Sequence, residues 1–194
     1  MQTNPIRASA LRGLAVLTSV LAIACTTNQT GTMSGESSVD RGRYLVTVGG
    51  CNDCHSPKVF TAQGPVPDTT RLLSGHPADE AIPAVPGDLL GPGKWGAITN
   101  NGLTAWAGPW GVSFTANLTP DQSGLEAWTK DMFIQAMRTG KHMGQGRPIL
   151  PPMPWPNFAQ MTDEDLGAVF DYLRSIKPVR NSVPQPIPPA AGSP

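Results

Sequence analysis

Cys51-Asn52-Asp53-Cys54-His55 is the stretch on which the reading of this chain turns. Two thiols three positions apart, with an imidazole directly after them, form the attachment signature of a c-type haem. The chemistry sets the spacing: both thiols must reach the two vinyl groups of one porphyrin while the imidazole swings under the ring to meet the iron. Other uses of paired cysteines fit worse. A thioredoxin-like pair belongs near a βαβ pattern, whereas this pair follows a helical stretch and no alternating βαβ pattern is present. A zinc site takes about four ligands, and outside the motif only His76 and His142 remain as classical donors, with no second cysteine pair. A disulfide across so short a span leaves His55 without a task. The expectation is one covalently bound haem c, attached through Cys51 and Cys54, with its iron held by His55.

On the N-terminal side, Asp40 to Val48 reads as a short helix with Asp40 as N-cap and Gly49-Gly50 as its stop. On the C-terminal side, Ser56 to Gly111 is studded with Gly and Pro and shows no sustained helical period. Within it, Lys94 to Thr99 and Leu103 to Ala107 flank Asn100-Asn101-Gly102, a hairpin turn signal. Trp95, Trp106 and Trp110 are expected to stabilise this hairpin. Thr129 caps a helix over Lys130 to Thr139, which Gly140 ends. The clearest helix follows Thr162: Asp163, Glu164 and Asp165 suit its positive end, and Leu166, Val169, Phe170, Leu173 and Ile176 recur at helical spacing before Lys177-Pro178 stops it.

An iron held on one side by His55 needs a sixth ligand if it is to pass electrons rather than bind small molecules. Met33, Met132, Met137, Met143, Met153, Met161, His76 and His142 are the candidates. Met132 and Met137 fall on an amphipathic helix face, where Met is usually core filling. Met33 lies in a Thr/Asn/Gly/Ser-rich stretch. Met161 sits beside a helix cap. Met153 stands apart because Pro151, Pro152 and Pro154 restrict the backbone around it, and a stiff loop loses little entropy on ligation. Met143, His142 and His76 stay open as alternatives.

The whole chain has 194 residues, 39% hydrophobic and 14% charged, with 21 Gly and 21 Pro. Few charges, visible aromatics and no charge run exclude a disordered solvating chain. Fourteen basic against fourteen acidic side chains give no basic patch for nucleic acid. Residues 1–25 read as a signal peptide: Arg7 and Arg12 precede an apolar run, Leu14 to Ala24, of 11 residues, shorter than the roughly 20 needed to span a bilayer. Ala22-Ile23-Ala24 suits ordinary signal cleavage. Leu21 to Cys25 resembles a bacterial lipoprotein box in which Cys25 becomes the lipidated first residue, although Ala22 stands where Leu is usual. The expectation is export to the periplasmic side, anchored to the membrane through Cys25 or otherwise soluble. Residues 26–38 would be a flexible tether, 39–180 a mono-haem domain, and 181–194 a Pro-rich disordered tail.

Helix, CxxCH, long loops, Met loop and helix in that order resemble the class I cytochrome c family, over roughly Asp40 to Val179. The likeness is tightest at Cys51 to His55, at Phe114-Thr-Ala-Asn-Leu-Thr-Pro-Asp121, and from Trp128 through Pro152-Met153-Pro154-Trp155 to Leu173. The latter two blocks are similar to the haem domains of cytochrome c subunits that serve bacterial membrane-bound alcohol, aldehyde and gluconate dehydrogenases. The resemblance implies an all-α class I fold, here with a long Gly/Pro-rich insertion containing a small β-hairpin. It also implies His55 as proximal ligand, Met153 as distal ligand, and a weak red absorption band marking a Met–iron(III) bond. The first and last helices would cross at Gly42, with Tyr172 or Phe170 opposite, Trp155 would lie against the haem, and Arg138 and Arg147 would face its propionates. Two departures are plain. Those subunits carry several CxxCH motifs and this chain has one, and 98 positions separate His55 from Met153, long for a minimal cytochrome.

The functional expectation is a carrier of single electrons rather than an enzyme. It would work between a periplasmic or membrane dehydrogenase, or a quinol-oxidising complex, and an oxidase or another cytochrome. A haem peroxidase, a sulfur-compound dehydrogenase or a haem-based sensor is the alternative, for which only His142 and Arg147 offer distal acid–base groups.

Overall fold

The computed structural model describes residues 36–86 and 88–189; the apolar N-terminal run, Cys25 and Met33 lie outside the described residues. Helix α1 spans Ser38–Val48. Its N-cap is Ser37, whose Oγ accepts the Asp40 N–H at 3.0 Å. Asp40 itself stands in the first turn, where a carboxylate favours the positive helix end. Gly49 and the left-handed Gly50 then turn the chain into a single-turn helix, α2, Cys51–His55. Helices α3 (Lys130–Thr139) and α5 (Asp163–Ser175) start at Thr129 and Thr162, whose side chains accept backbone N–H groups of Met132 and Asp165. A short helix, α4 (Trp155–Phe158), lies between them.

The expectation of an all-α chain is overturned. Two antiparallel sheets accompany the five α-helices among the described residues. Strands β1 (Lys58–Thr61) and β2 (Gly64–Pro67) make a hairpin directly after α2, with Val59 opposite Val66. The second sheet runs β3 (Ile98–Thr99), β4 (Ala105–Gly108), β5 (Gly111–Phe114) in sequence order. The turn at Asn100 forms where the sequence places it: Asn100 Oδ1 accepts the N–H groups of Thr104 and Ala105 at 2.9 and 3.0 Å. A third strand extends that hairpin through Pro109-Trp110, so the insertion is a small sheet. Trp106 donates to Leu103 O at 2.8 Å within it. Trp95, in contrast, is 66% exposed.

Val46, Leu73, Leu125, Phe133, Met137, Leu166, Phe170 and Leu173 form the core. Helices α1 and α5 cross at Gly42, where a Cβ would overlap Ala168 O and stand 2.8 Å from Tyr172 Cβ. Tyr172 is thus the opposing side chain, while Phe170 turns to Phe133 at 5.6 Å between ring centroids. The crossing is tied at its rim by Arg41 to Asp165 at 2.9 Å. Gly42→Ala is expected to destabilise the protein by about 3 kcal/mol, because backbone cannot yield as a side chain can. Its thermal midpoint should fall by about 10 °C; an unchanged melting curve would contradict this contact.

The disordered-tail expectation fails for residues 181–189. Asn181 donates to Ser74 O and His76 O at 2.7 and 2.8 Å. Ile187 exchanges backbone hydrogen bonds with Val112 of β5 at 2.8 and 2.9 Å. Prolines cannot donate, but the Ile187 N–H between them can, and it finds the open side of β5.

Candidate functional site

Cys51 and Cys54 lie three residues apart on α2, so one helical turn puts both thiols on the same side. Both are free and half-buried. Burial pushes the Cys51 thiol up to about 11 and raises that of Cys54 as well. A disulfide-exchanging CxxC depends on a lowered thiol pKa, so this pair is set for the opposite behaviour and stays protonated at neutral pH. Among the described residues no three His, Cys, Asp or Glu side chains gather as a metal-holding group.

His55 is buried, and its Nδ1 lies 2.8 Å from Ala116 O. A carbonyl only accepts, so Nδ1 carries the hydrogen and Nε2 keeps its lone pair. Nε2 has no hydrogen-bond partner among the described residues. Desolvation lowers the ring pKa, keeping it neutral. That is the protonation state an iron ligand requires. The ring's placement depends on three segments meeting: Gly75 N–H donates to His55 O at 2.7 Å, and His76 N–H donates to Thr115 O at 3.0 Å. Gly75 has φ +79°, and a Cβ there would stand 2.5 Å from Thr115 O; only glycine lets this loop pass under His55.

Lys58 closes the other end of α2. Its Nζ donates to Asn52 O, Asp53 O and Ser56 O at 3.3, 2.8 and 2.6 Å, satisfying carbonyls that a helix end leaves open. Fully buried Ser56 donates to Asn52 Oδ1 at 2.8 Å and accepts Leu73 N–H at 2.9 Å.

The Met153 loop leads into α4, whose Phe158 comes beside Cys51. Cys51, Ile149, Met153, Phe158 and Met161 all pack as a half-buried shell on the core. Cys51 Sγ and Phe158 Cε1 converge over Gly49, at 3.7 and 3.3 Å from where a Cβ would be. Of the candidate sixth ligands, Met153 and Met161 belong to this shell and Met137 to the core itself. His76 is fully buried, with Nδ1 2.9 Å from Thr104 Oγ1 and its ring 4.8 Å from that of Phe114. His142 stands edge-on to Trp128 at 4.9 Å, and Met143 occupies a left-handed backbone position in the turn beside it.

The donor set therefore suits a haem c: two protonated thiols on one face, a neutral imidazole with Nε2 available, and a thioether packed on the same core as Cys51. Arg138 is not available to a propionate. Its guanidinium donates to Ala159 O, Met161 O and Asp163 Oδ1 at 2.5, 2.8 and 2.5 Å, and so braces the link between α4 and α5. Arg147 is exposed and reaches only the neighbouring Pro148 O at 3.3 Å. The indole of Trp155 packs over Gly140 at the end of α3. The Ala116 carbonyl and Lys58 went unread in the sequence. A lysine just after a short helix is a signal for the second; a backbone carbonyl leaves none for the first.

No family model matches the chain. It is similar to cytochrome c subunits of bacterial dehydrogenases. The gluconate 2-dehydrogenase cytochrome c subunit of Pantoea cypripedii is 27% identical over 148 residues, 75% of this chain and 25% of that protein. The fructose dehydrogenase cytochrome subunit of Gluconobacter japonicus is 24% identical over 178 residues, 91% of this chain and 29% of its own length. One of the subunits of nicotinate dehydrogenase from Pseudomonas putida is 36% identical over 90 residues, covering 46% of this chain and 8% of that much longer protein. The chain thus matches under a third of each of these relatives.

Proposed function

We propose that this chain is a mono-haem c-type cytochrome that carries single electrons from a dehydrogenase to a terminal acceptor on the periplasmic side of the membrane. The observation that carries the reading is His55: its Nδ1 hydrogen is given to Ala116 O, which leaves Nε2 for iron on the residue next to two protonated thiols. When bound, a haem c supplies a reversible one-electron couple. The protein's own part is to hold it. Cys51 and Cys54 would anchor the ring, and His55 and Met153 would ligate the iron, keeping small molecules off it and raising its reduction potential. The likeness to dehydrogenase cytochrome subunits supports a dehydrogenase as donor; an oxidase or another cytochrome would accept.

Cys25, lipidated after cleavage of the signal peptide, would hold the carrier beside these partners, and a tether raises effective concentration. Several acyl chains are needed for stable attachment, since one binds only marginally. Reduction in isolated membranes tests both parts. On addition of gluconate, fructose or nicotinate, the haem should be reduced by at least one of these donors in membranes bearing the wild-type chain. Cys25→Ala should move the haem to the soluble fraction while leaving its spectrum intact. An α-band that never sharpens with any dehydrogenase substrate would overturn the carrier reading, and a soluble wild-type protein would overturn the anchor.

A further inference from the structure

The Met153 loop has little means of holding itself. Pro148, Pro151, Pro152, Pro154 and Pro156 bring no N–H. Hydrogen bonding within the loop is confined to its ends, where Ile149 N–H donates to Gly140 O at 2.7 Å and Asn157 N–H donates to Pro154 O at 3.0 Å. A segment of this kind is stiff inside and is held by its packing on the core and by few hydrogen bonds.

Between them lies one further hydrogen bond, and it comes from the inserted sheet. Ser113 Oγ–H donates to Pro151 O at 2.5 Å, across 38 positions of sequence. Ser113 is 7% exposed on β5, paired with Trp106 of β4. Trp110 Nε1–H donates to Ser113 Oγ at 3.2 Å. With its oxygen accepting from the indole, the hydroxyl has one hydrogen to give. Trp106 O lies at 3.4 Å, so the shorter contact with Pro151 takes it. On the far side of Met153, the Trp155 ring rests on Gly140. Met153 is thus held two residues before and two residues after.

We propose that Ser113 is a positioning residue for the Met153 ligand, and that the inserted sheet serves to brace the ligand loop through this hydroxyl. The inference rests on the reading of Met153 as the sixth ligand. Its prediction concerns how often the thioether leaves the iron. Pro151 is exposed, so water can replace the lost partner and the fold should survive, while the loop swings out more often.

The test is the rate at which added imidazole displaces the ligand from the ferric holoprotein, followed through the Met–iron(III) band. Ser113→Ala should speed displacement about tenfold, the factor corresponding to one ordinary hydrogen bond, with covalent haem content and thermal midpoint close to wild type. Ser113→Thr restores the hydroxyl and should restore the rate. Trp110→Phe, which removes only the indole N–H, should give an intermediate value. If Ser113 acts by packing alone, the extra methyl of threonine will be worse than alanine, and the brace is refuted; so it is if alanine leaves the rate unchanged. Met153→Ala separates the two failures, because a variant that keeps its Met–iron(III) band shows that the ligand assignment itself was mistaken.

Discussion

A protein carrying Cys51→Ala and Cys54→Ala is expected to retain no covalently attached haem. Attachment adds each S–H across a vinyl double bond, forming one C–S and one C–H bond with nothing leaving, so it needs two thiols at the right separation. α2 provides them on one turn, and burial keeps both protonated. Cys25 offers no substitute, since no second thiol stands at the required spacing from it. His55 keeps its hydrogen bond to Ala116 O in the variant and can still meet iron, but a coordinate bond alone does not survive denaturation. The measurement is haem staining after a denaturing gel, which should fall to background. Stain persisting at the protein's mass would remove the basis for the cytochrome reading.

Met153→Ala is expected to open the sixth position. Three readouts should move together: loss of the Met–iron(III) band, binding of carbon monoxide by the reduced form, and a lower reduction potential. The drop should be on the order of 0.1 V, a fraction of the roughly 0.8 V over which axial ligands tune haem potentials. Met143→Ala and Met161→Ala should leave the band in place. Met161 is the stringent control, because it shares the half-buried shell with Met153 and Cys51. A band lost in Met143→Ala but kept in Met153→Ala would assign the ligand to the neighbouring turn.

The helices were readable from the sequence where a cap and a periodic apolar face agree. Thr129 and Thr162 both start the helices they were expected to start, and Gly42 meets Tyr172 at the crossing. Sheet content was underestimated for a physical reason. β1 and β2 expose most of both faces, so Val59 and Val66 pair without any burial to impose an alternation. β5 is four residues long and follows a Pro-Trp turn that lacks the Asn-Gly or Asp-Gly pair of a tight hairpin. The thiols and the imidazole announced themselves because their chemistry fixes residue type and spacing. Their support did not: the Ala116 carbonyl, the Gly75 passage and the Ser113 hydroxyl act through positions that only the folded chain brings together. Arg138 misled in the same way, since charge on a helix end says nothing about which carbonyls lie within reach.

The short pairing of Ile187 with Val112 bears on how molecules of this protein avoid one another. An uncovered strand edge is a template on which a second chain can add. β3, at the other side of its sheet, is two residues long and offers little to such a visitor. β5 is longer, and its open side is occupied by a segment reading Pro186-Ile187-Pro188-Pro189. That segment contributes one N–H and then none, so it closes the edge without becoming a new one. The longer edge of the sheet is thereby closed to a second copy of this chain.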